Sequence, residues 1–160
     1  MKKALFPGTF DPITNGHVDI IRRSSLLFDE VVVLVGVNMS KKTLFTPQER
    51  VDMIQRSLSA FDNVTVDSCD GLTVKYAVDH SCGYIIRGLR DSRDFEYEHE
   101  LELNNRFIAP DIETVYLSAG EDNLFVRSTS IREFTRYGVD FSSLVPPAVY
   151  EEIQRKMSSK

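Results

Sequence analysis

Five short apolar runs, each followed by an amphipathic stretch, predict an α/β fold: a single domain wound to both sides of a five-stranded parallel sheet. Two further observations support it. Residues 31–37 are apolar at successive positions, as in a central strand covered by helices on both faces. A length of 160 residues suits one domain with its own core. We therefore read residues 1–160 as one Rossmann-like doubly wound domain, with a C-terminal helical segment at about residues 130–157.

The elements follow in order. Residues 2–6 are the first strand. A polar turn follows, Pro7-Gly8-Thr9-Phe10-Asp11-Pro12-Ile13-Thr14-Asn15-Gly16-His17. Pro12 disfavours helical angles at Asp11, so the first helix begins near Thr14 or Asn15. It extends to residue 27, with Val18, Ile21 and Ser25 on one face. The second strand, residues 31–37, leads into a polar loop carrying Lys41 and Lys42. Thr46-Pro47-Gln48-Glu49 is a capping box with proline at the first helical position. It opens a helix to residue 58, with Val51, Ile54 and Leu58 inward.

A third strand covers residues 64–66, a helix residues 72–80 and a fourth strand residues 84–87. Asp91 or Ser92 caps a long helix to residue 108, with Asp94, Glu96 and Glu98 near its positive end. Pro110 ends it, and residues 114–117 form the fifth strand. A helix over residues 128–137 stops at Gly138, and Pro146-Pro147 opens the last helix.

Composition excludes several classes. The chain is 42% hydrophobic and 27% charged, as in ordinary soluble proteins. A net charge of −5 argues against a general nucleic-acid binder. The longest apolar run is far too short to span a bilayer, so no membrane partner is expected. Met1-Lys2-Lys3-Ala4-Leu5-Phe6 is similar to the start of a secretory leader, but Pro7 and Gly8 interrupt it too soon. Cys69 and Cys82 lack metal-site spacing and are read as free thiols of a cytoplasmic protein.

In an open parallel sheet, ligands bind beyond the carboxyl ends of the strands. Five polar clusters fall there: residues 9–17, Lys41-Lys42, Gly71-Leu72-Thr73, Arg87-Gly88-Leu89-Arg90 and Arg127-Ser128-Thr129-Ser130. An acidic chain that gathers cations and hydroxyls at these ends is suited to a polyphosphate. The start of the first helix adds free backbone N–H groups beside Thr9 and His17.

Thr14-Asn15-Gly16-His17 is similar to the (T/H)xGH signature of nucleotidyltransferases that act at an α-phosphate. The longer run from Pro7 to Pro12, Ile86-Arg87-Gly88-Leu89-Arg90, and Asp94-Phe95-Glu96-Tyr97-Glu98 resemble bacterial phosphopantetheine adenylyltransferases. Ser40-Lys41-Lys42 and Phe45-Thr46-Pro47-Gln48-Glu49-Arg50 match in type and order. The resemblance covers residues 3–146 and implies adenylyl transfer from ATP to 4′-phosphopantetheine with Mg²⁺. It implies that Thr9, Lys41, Thr73 and Arg87 bind phosphopantetheine. It assigns ATP to Thr9, Phe10, His17, Gly88, Leu89, Arg90, Glu98, Asn123, Leu124, Phe125, Val126, Arg127, Ser128 and Thr129. His17, Lys41 and Arg90 are the expected catalytic groups. A homohexamer and feedback by coenzyme A are implied in the same way. Arg127 stands where the family usually has a small hydroxyl residue, and Thr73 where it often has a larger apolar one.

The attacking group in this chemistry is a phosphate, already anionic at neutral pH, so no general base is required. No acidic pair is evident for a metal, so Mg²⁺ is expected on phosphates and water, with no protein metal site. Two alternatives share the same turn: another small-molecule nucleotidyltransferase, and a non-catalytic nucleotide-binding regulator. Outside the site, His80 is expected at its own helix C-terminus, and His99 at the surface or a subunit contact. Arg93 is expected to pair with a nearby acid, and Glu133 to favour its helix start. Tyr97, Leu101 and Ile108 form a face for the core or a subunit interface.

Overall fold

In a computed structural model of the chain, which describes residues 1–159, each apolar run becomes a parallel strand. The order is β1 (Lys3–Gly8), α1 (Asn15–Leu27), β2 (Glu30–Gly36), α2 (Pro47–Ser57), β3 (Val64–Cys69), α3 (Thr73–Asp79), β4 (Tyr84–Leu89), α4 (Ser92–Ile108), β5 (Glu113–Ser118), α5 (Ser128–Tyr137) and α6 (Pro147–Ser158). Short 3-10 turns lie at Glu121–Asn123 and Ser142–Leu144. The strands form one five-stranded, all-parallel sheet in the order β3-β2-β1-β4-β5. β1 is central, and the direction of winding reverses across it.

Two apolar layers cover the sheet. On one face α1, α2, α5 and α6 pack Ile20, Ile21, Met53, Ile54, Ile131 and Ile153 against Phe6, Val31 and Val33. On the other, Val74 and Ala77 of α3 and Ile112 pack on Leu5, Val32, Leu34 and Ile85. Alternate residues of β1 and β2 thus serve opposite layers, which is why the second run is apolar throughout.

Four strands, β1, β3, β4 and β5, run further than their expected ends. β3 continues to Cys69 because Asp67, Ser68 and Cys69 stay in register with Leu34, Val35 and Gly36. As an edge strand it leaves its polar side chains partly exposed, so its second half carries no apolar signal. α1 buries Ile20, Ile21 and Ser24, not Ser25. The Ser24 hydroxyl donates to the Ile20 carbonyl at 2.7 Å, which satisfies it inside the core. α2 turns Arg50, Met53 and Ile54 inward, while Val51 is only partly buried. Thr46 and Glu49 form the expected capping box, and Asp91 caps α4 by accepting from the Asp94 N–H at 2.9 Å. Gly138, with φ of 68°, closes α5 in the left-handed conformation.

The ladder between β1 and β4 is short. It pairs Ala4 with Tyr84 and Leu5 with Ile85, whereas β1 and β2 stay paired to Gly8 and Val35. Pro7 accounts for the break. Its carbonyl turns toward β4 and accepts from the Arg87 guanidinium at 3.1 Å. Its nitrogen faces the same side but has no hydrogen to give. Beyond Leu5 the two strands separate and leave a seam that opens at their carboxyl ends.

Truncating Ile54, fully buried in the larger layer, is expected to cost about 2–5 kcal/mol of unfolding free energy. Leu26→Ala, at a side chain 78% exposed, is expected to stay within about 0.5 kcal/mol. Urea denaturation of both variants measures the contrast.

Candidate active site

The cleft in this seam is built from the turn after β1, the end of β4, the first turns of α4 and the segment before α5. The turn is tightly determined. Phe10 has φ of 50°, unusual for a residue with a side chain, and is almost fully buried. Its ring stands edge-on to Phe6 at 5.6 Å and to His17 at 5.0 Å between centroids. A Cβ on Gly8 would lie 2.9 Å from that ring, so any larger residue there would force the buried Phe10 side chain to shift.

His17 is the third residue of α1 and closes a capping box with Thr14. The Thr14 N–H donates to His17 Nδ1 at 3.0 Å. An Nδ1 that accepts leaves the proton of a neutral imidazole on Nε2. Burial lowers the pKa to about 4, helped by the nearby Arg90 and Arg87 guanidinium groups. At neutral pH His17 is therefore a neutral ring in the cleft wall, with Nε2–H as its donor.

Arg87 is held by protein. Its Nε and one terminal nitrogen each reach a Glu98 carboxylate oxygen at 2.6 Å. With its bond to Pro7, the side chain crosses the seam. Arg90 is held differently. Its Nε and its backbone N–H both donate to Asp94 Oδ2 at 3.0 Å. Nε is the only side-chain nitrogen of Arg90 bonded to protein among the described residues, so its terminal nitrogens stay available at the cleft. Asp94 is kept below the usual carboxylate range: its hydrogen bonds to Arg90 outweigh the opposing effect of burial.

The structure brings Phe10, His17, Arg87, Gly88, Arg90, Glu98, Asn123 and Val126 together around this cleft. Thr73 lies instead in an adjoining, largely apolar cavity with Leu72, Leu101 and Asn105, and Arg87 and Glu98 line both spaces. Thr9 and Lys41 border a third, open groove with Gly36, Ser40 and Gly71. Leu89 ends β4 beside the cleft, and Leu124 and Phe125 are exposed. Arg127 lies 3.7 Å from Asp91, the cap of α4. The Ser128 hydroxyl donates to the Pro12 carbonyl at 2.7 Å, and the Thr129 hydroxyl accepts from Arg132 at 3.4 Å. Among the described residues no side chain caps the start of α5, so its first N–H groups remain open to an anion.

Two lining residues have no obvious sequence signal: Ile20 and Ala119 contribute shape alone. Thr14 has one, because Thr14 and His17 sit at the spacing of a capping box, with imidazole in the usual place of glutamate. Elsewhere His80 Nδ1 donates to the Tyr76 carbonyl, 2.9 Å away, and the ring stacks on that of Tyr76. His99 pairs with Glu102 at 3.2 Å on the surface, and Arg93 lies 3.8 Å from Asp91. Glu133 is exposed, and so are Tyr97 and Ile108. Cys69 and Cys82 are both free thiols. Among the described residues no helix is long and apolar enough to cross a membrane.

The profile of the cytidylyltransferase-like family matches residues 5–134. Phosphopantetheine adenylyltransferases from Leptospira biflexa and Syntrophus aciditrophicus are 44% and 48% identical to the chain. The first comparison covers 97% of both chains, the second 98% of this chain and 95% of the relative. In fold, a crystal structure described as a nicotinate-nucleotide adenylyltransferase from Vibrio parahaemolyticus superposes with a TM-score of 0.69 at 22% identity, covering 96% of this chain and 99% of the other.

The His17 environment has a measurable consequence. Its folded pKa of about 4 lies below the unfolded value of 6.5. The unfolded state therefore takes up the proton first as pH falls. The stability that comes from keeping this ring neutral is complete above pH 6.5 and is lost as pH falls from 6.5 through about 4. In the ligand-free protein, nitrogen NMR is expected to find His17 neutral with its proton on Nε2 at pH 5.5. Titration near 6.5 would contradict the assignment.

Proposed function

The chain belongs to the cytidylyltransferase-like family and, within it, to the phosphopantetheine adenylyltransferases, and we propose that it transfers the adenylyl group of ATP to 4′-phosphopantetheine. The products are dephospho-coenzyme A and pyrophosphate, a step of coenzyme A biosynthesis. A phosphate oxygen of the acceptor bonds to the α-phosphorus, and the bond from that phosphorus to the β-bridging oxygen breaks. The acceptor arrives mostly as a dianion, so the protein's task is alignment and charge stabilisation.

The observation that carries this reading is the neutral His17 with Nδ1 engaged by Thr14. Its Nε2–H donates to a non-bridging oxygen of the α-phosphoryl group without adding a titratable charge at neutral pH. Lys41 supplies the cation on the acceptor side, next to Thr9. The terminal nitrogens of Arg90 and the open N–H groups of α5 hold the departing pyrophosphate. Glu98 keeps Arg87 in place, and the apolar cavity beside Thr73 takes the pantetheine arm. Arg127, tied to Asp91, shapes the ATP segment from behind.

Mg²⁺ carried by the triphosphate would supply neutralisation of oxygen charge, with Arg90 and the N–H groups of α5 holding the phosphates around it. The donor set fits this arrangement, since Glu98 is the one carboxylate among the cleft-lining residues and is bonded bidentately by Arg87. The enzyme works in the cytoplasm as a homohexamer, in keeping with its free thiols and with the exposed Phe95, Leu103 and Phe107 of α4. Coenzyme A, which contains both the pantetheine arm and an adenylate, acts as a feedback ligand of the same cleft.

Pyrophosphate release from ATP and Mg²⁺ is expected only when 4′-phosphopantetheine is added. His17→Ala and Arg90→Ala are each expected to lower turnover by about 10²–10³. Release without a phosphate acceptor, or near-normal turnover in His17→Ala, would count against the mechanism. Sedimentation is expected to give six subunits, and a monomer at assay concentration would overturn the oligomer.

A further inference from the structure

We propose that Asp11 and Arg50 are positioning residues that hold the Lys41 loop in register with the turn carrying Thr9 and His17. Both side chains belong to residues only 2% exposed, so neither meets a substrate directly. Each instead clamps one end of the loop between β2 and α2. At the entry, one Arg50 terminal nitrogen donates to the Gly36 carbonyl at 3.2 Å and to the Thr9 carbonyl at 2.8 Å. At the exit, the Asp11 carboxylate accepts from the Leu44 N–H at 2.8 Å and from the Phe45 N–H at 2.9 Å. Both clamps end on the same three-residue turn, from Thr9 to Asp11. Between them Asn38 folds the loop, accepting from the Ser40 N–H at its side chain and from the Lys41 N–H at its carbonyl, each at 3.0 Å. Hydrogen bonds at both ends of the loop, and the Asn38 fold within it, therefore tie the Lys41 segment to the first turn.

The chemistry of the pair argues for positioning over packing. Arg50 occupies the inward stripe of α2 beside Met53 and Ile54, where an apolar side chain would serve the core. Its Nε is buried without a hydrogen-bond partner, a cost that packing does not explain. Burial disfavours the guanidinium charge and the nearby Asp11 carboxylate supports it. Buried charged groups add little stability relative to apolar replacements. What these two residues do supply is three directional bonds to the backbone at the loop ends and a fourth to the Thr9 carbonyl of the turn.

The inference rests on the proposed role of Lys41 in adenylyl transfer, and a double-mutant cycle separates the two. Asp11→Asn keeps the size but turns an NH₂ group toward one of the two backbone N–H donors. It is expected to lower kcat by about 10- to 100-fold with the KM for ATP within about threefold, as for loss of alignment on the acceptor side. In a Lys41→Ala background the same change is expected to lower kcat by less than about threefold, because there is no longer a lysine to place. An equal loss in both backgrounds would overturn the proposal, since Asp11 would then act through general stability or the ATP side. An inactive wild type, or an unaffected Lys41→Ala single variant, would instead overturn the reading on which the proposal rests. Arg50→Lys, which keeps the charge and can reach only one of the two carbonyls, runs the same cycle if Asp11→Asn does not fold.

Discussion

The structure depends most on the point at which β1 and β4 stop pairing. A central parallel strand ordinarily satisfies its backbone on both sides. Pro7 withholds one donor, and the neighbouring strand meets the remaining carbonyl with a guanidinium in place of a backbone N–H. The sheet then divides, and the division has two sides. One is the polar cleft with His17 and Arg90, the other the apolar cavity with Thr73 and Leu101. Arg87 and Glu98 stand between them as a paired wall. The placement of both spaces at the switch point of a doubly wound sheet follows from this local chemistry.

Around the seam, hydroxyl and guanidinium donors are used mainly on the protein's own carbonyls and carboxylates. Ser128 and Arg132 from α5 bond the carbonyls of Pro12 and Asp11, and Asp94 restrains Arg90. These bonds fix direction at modest net energy, about 0.5–1.5 kcal/mol for a typical intramolecular hydrogen bond and about 1.5–3 kcal/mol for one to a charged group. Phosphate chemistry gains from this, because donors already fixed in place need no reorganisation as charge moves.

Much of this was legible in the sequence. Helix starts were visible at Thr46 and Asp91 because a cap is a local contact, and the stop at Gly138 because only a left-handed residue fits there. The strands were visible where both faces are covered. They were not visible at the far end of β3, where half the residues face solvent. His17 and Arg90 were readable because their motifs are contiguous. The pairing of Arg87 with Glu98 spans a strand end and an intervening helical turn, and no spacing rule distinguishes it from a ligand-facing arginine. Arg50 followed the inward period of α2, at three and four residues before Met53 and Ile54, but a cation on an apolar stripe reads as a surface residue until its partners are known. Ser128, read as a ligand hydroxyl, also secures the Pro12 carbonyl, a contact across 116 positions that no local pattern signals.

The separation of β1 from β4 along the chain has a consequence for biosynthesis. Arg87 follows Pro7 by 80 residues. At elongation rates of about 5–20 residues per second, the nascent chain therefore waits roughly 4–16 s between the making of the two. Through that interval β1 can join β2, but its other edge has no strand to meet. An open edge on a ribosome-bound chain invites pairing with a neighbouring chain. The proline that later parts the sheet removes a donor from that same edge, so the residue that opens the cleft in the finished protein also protects the unfinished one.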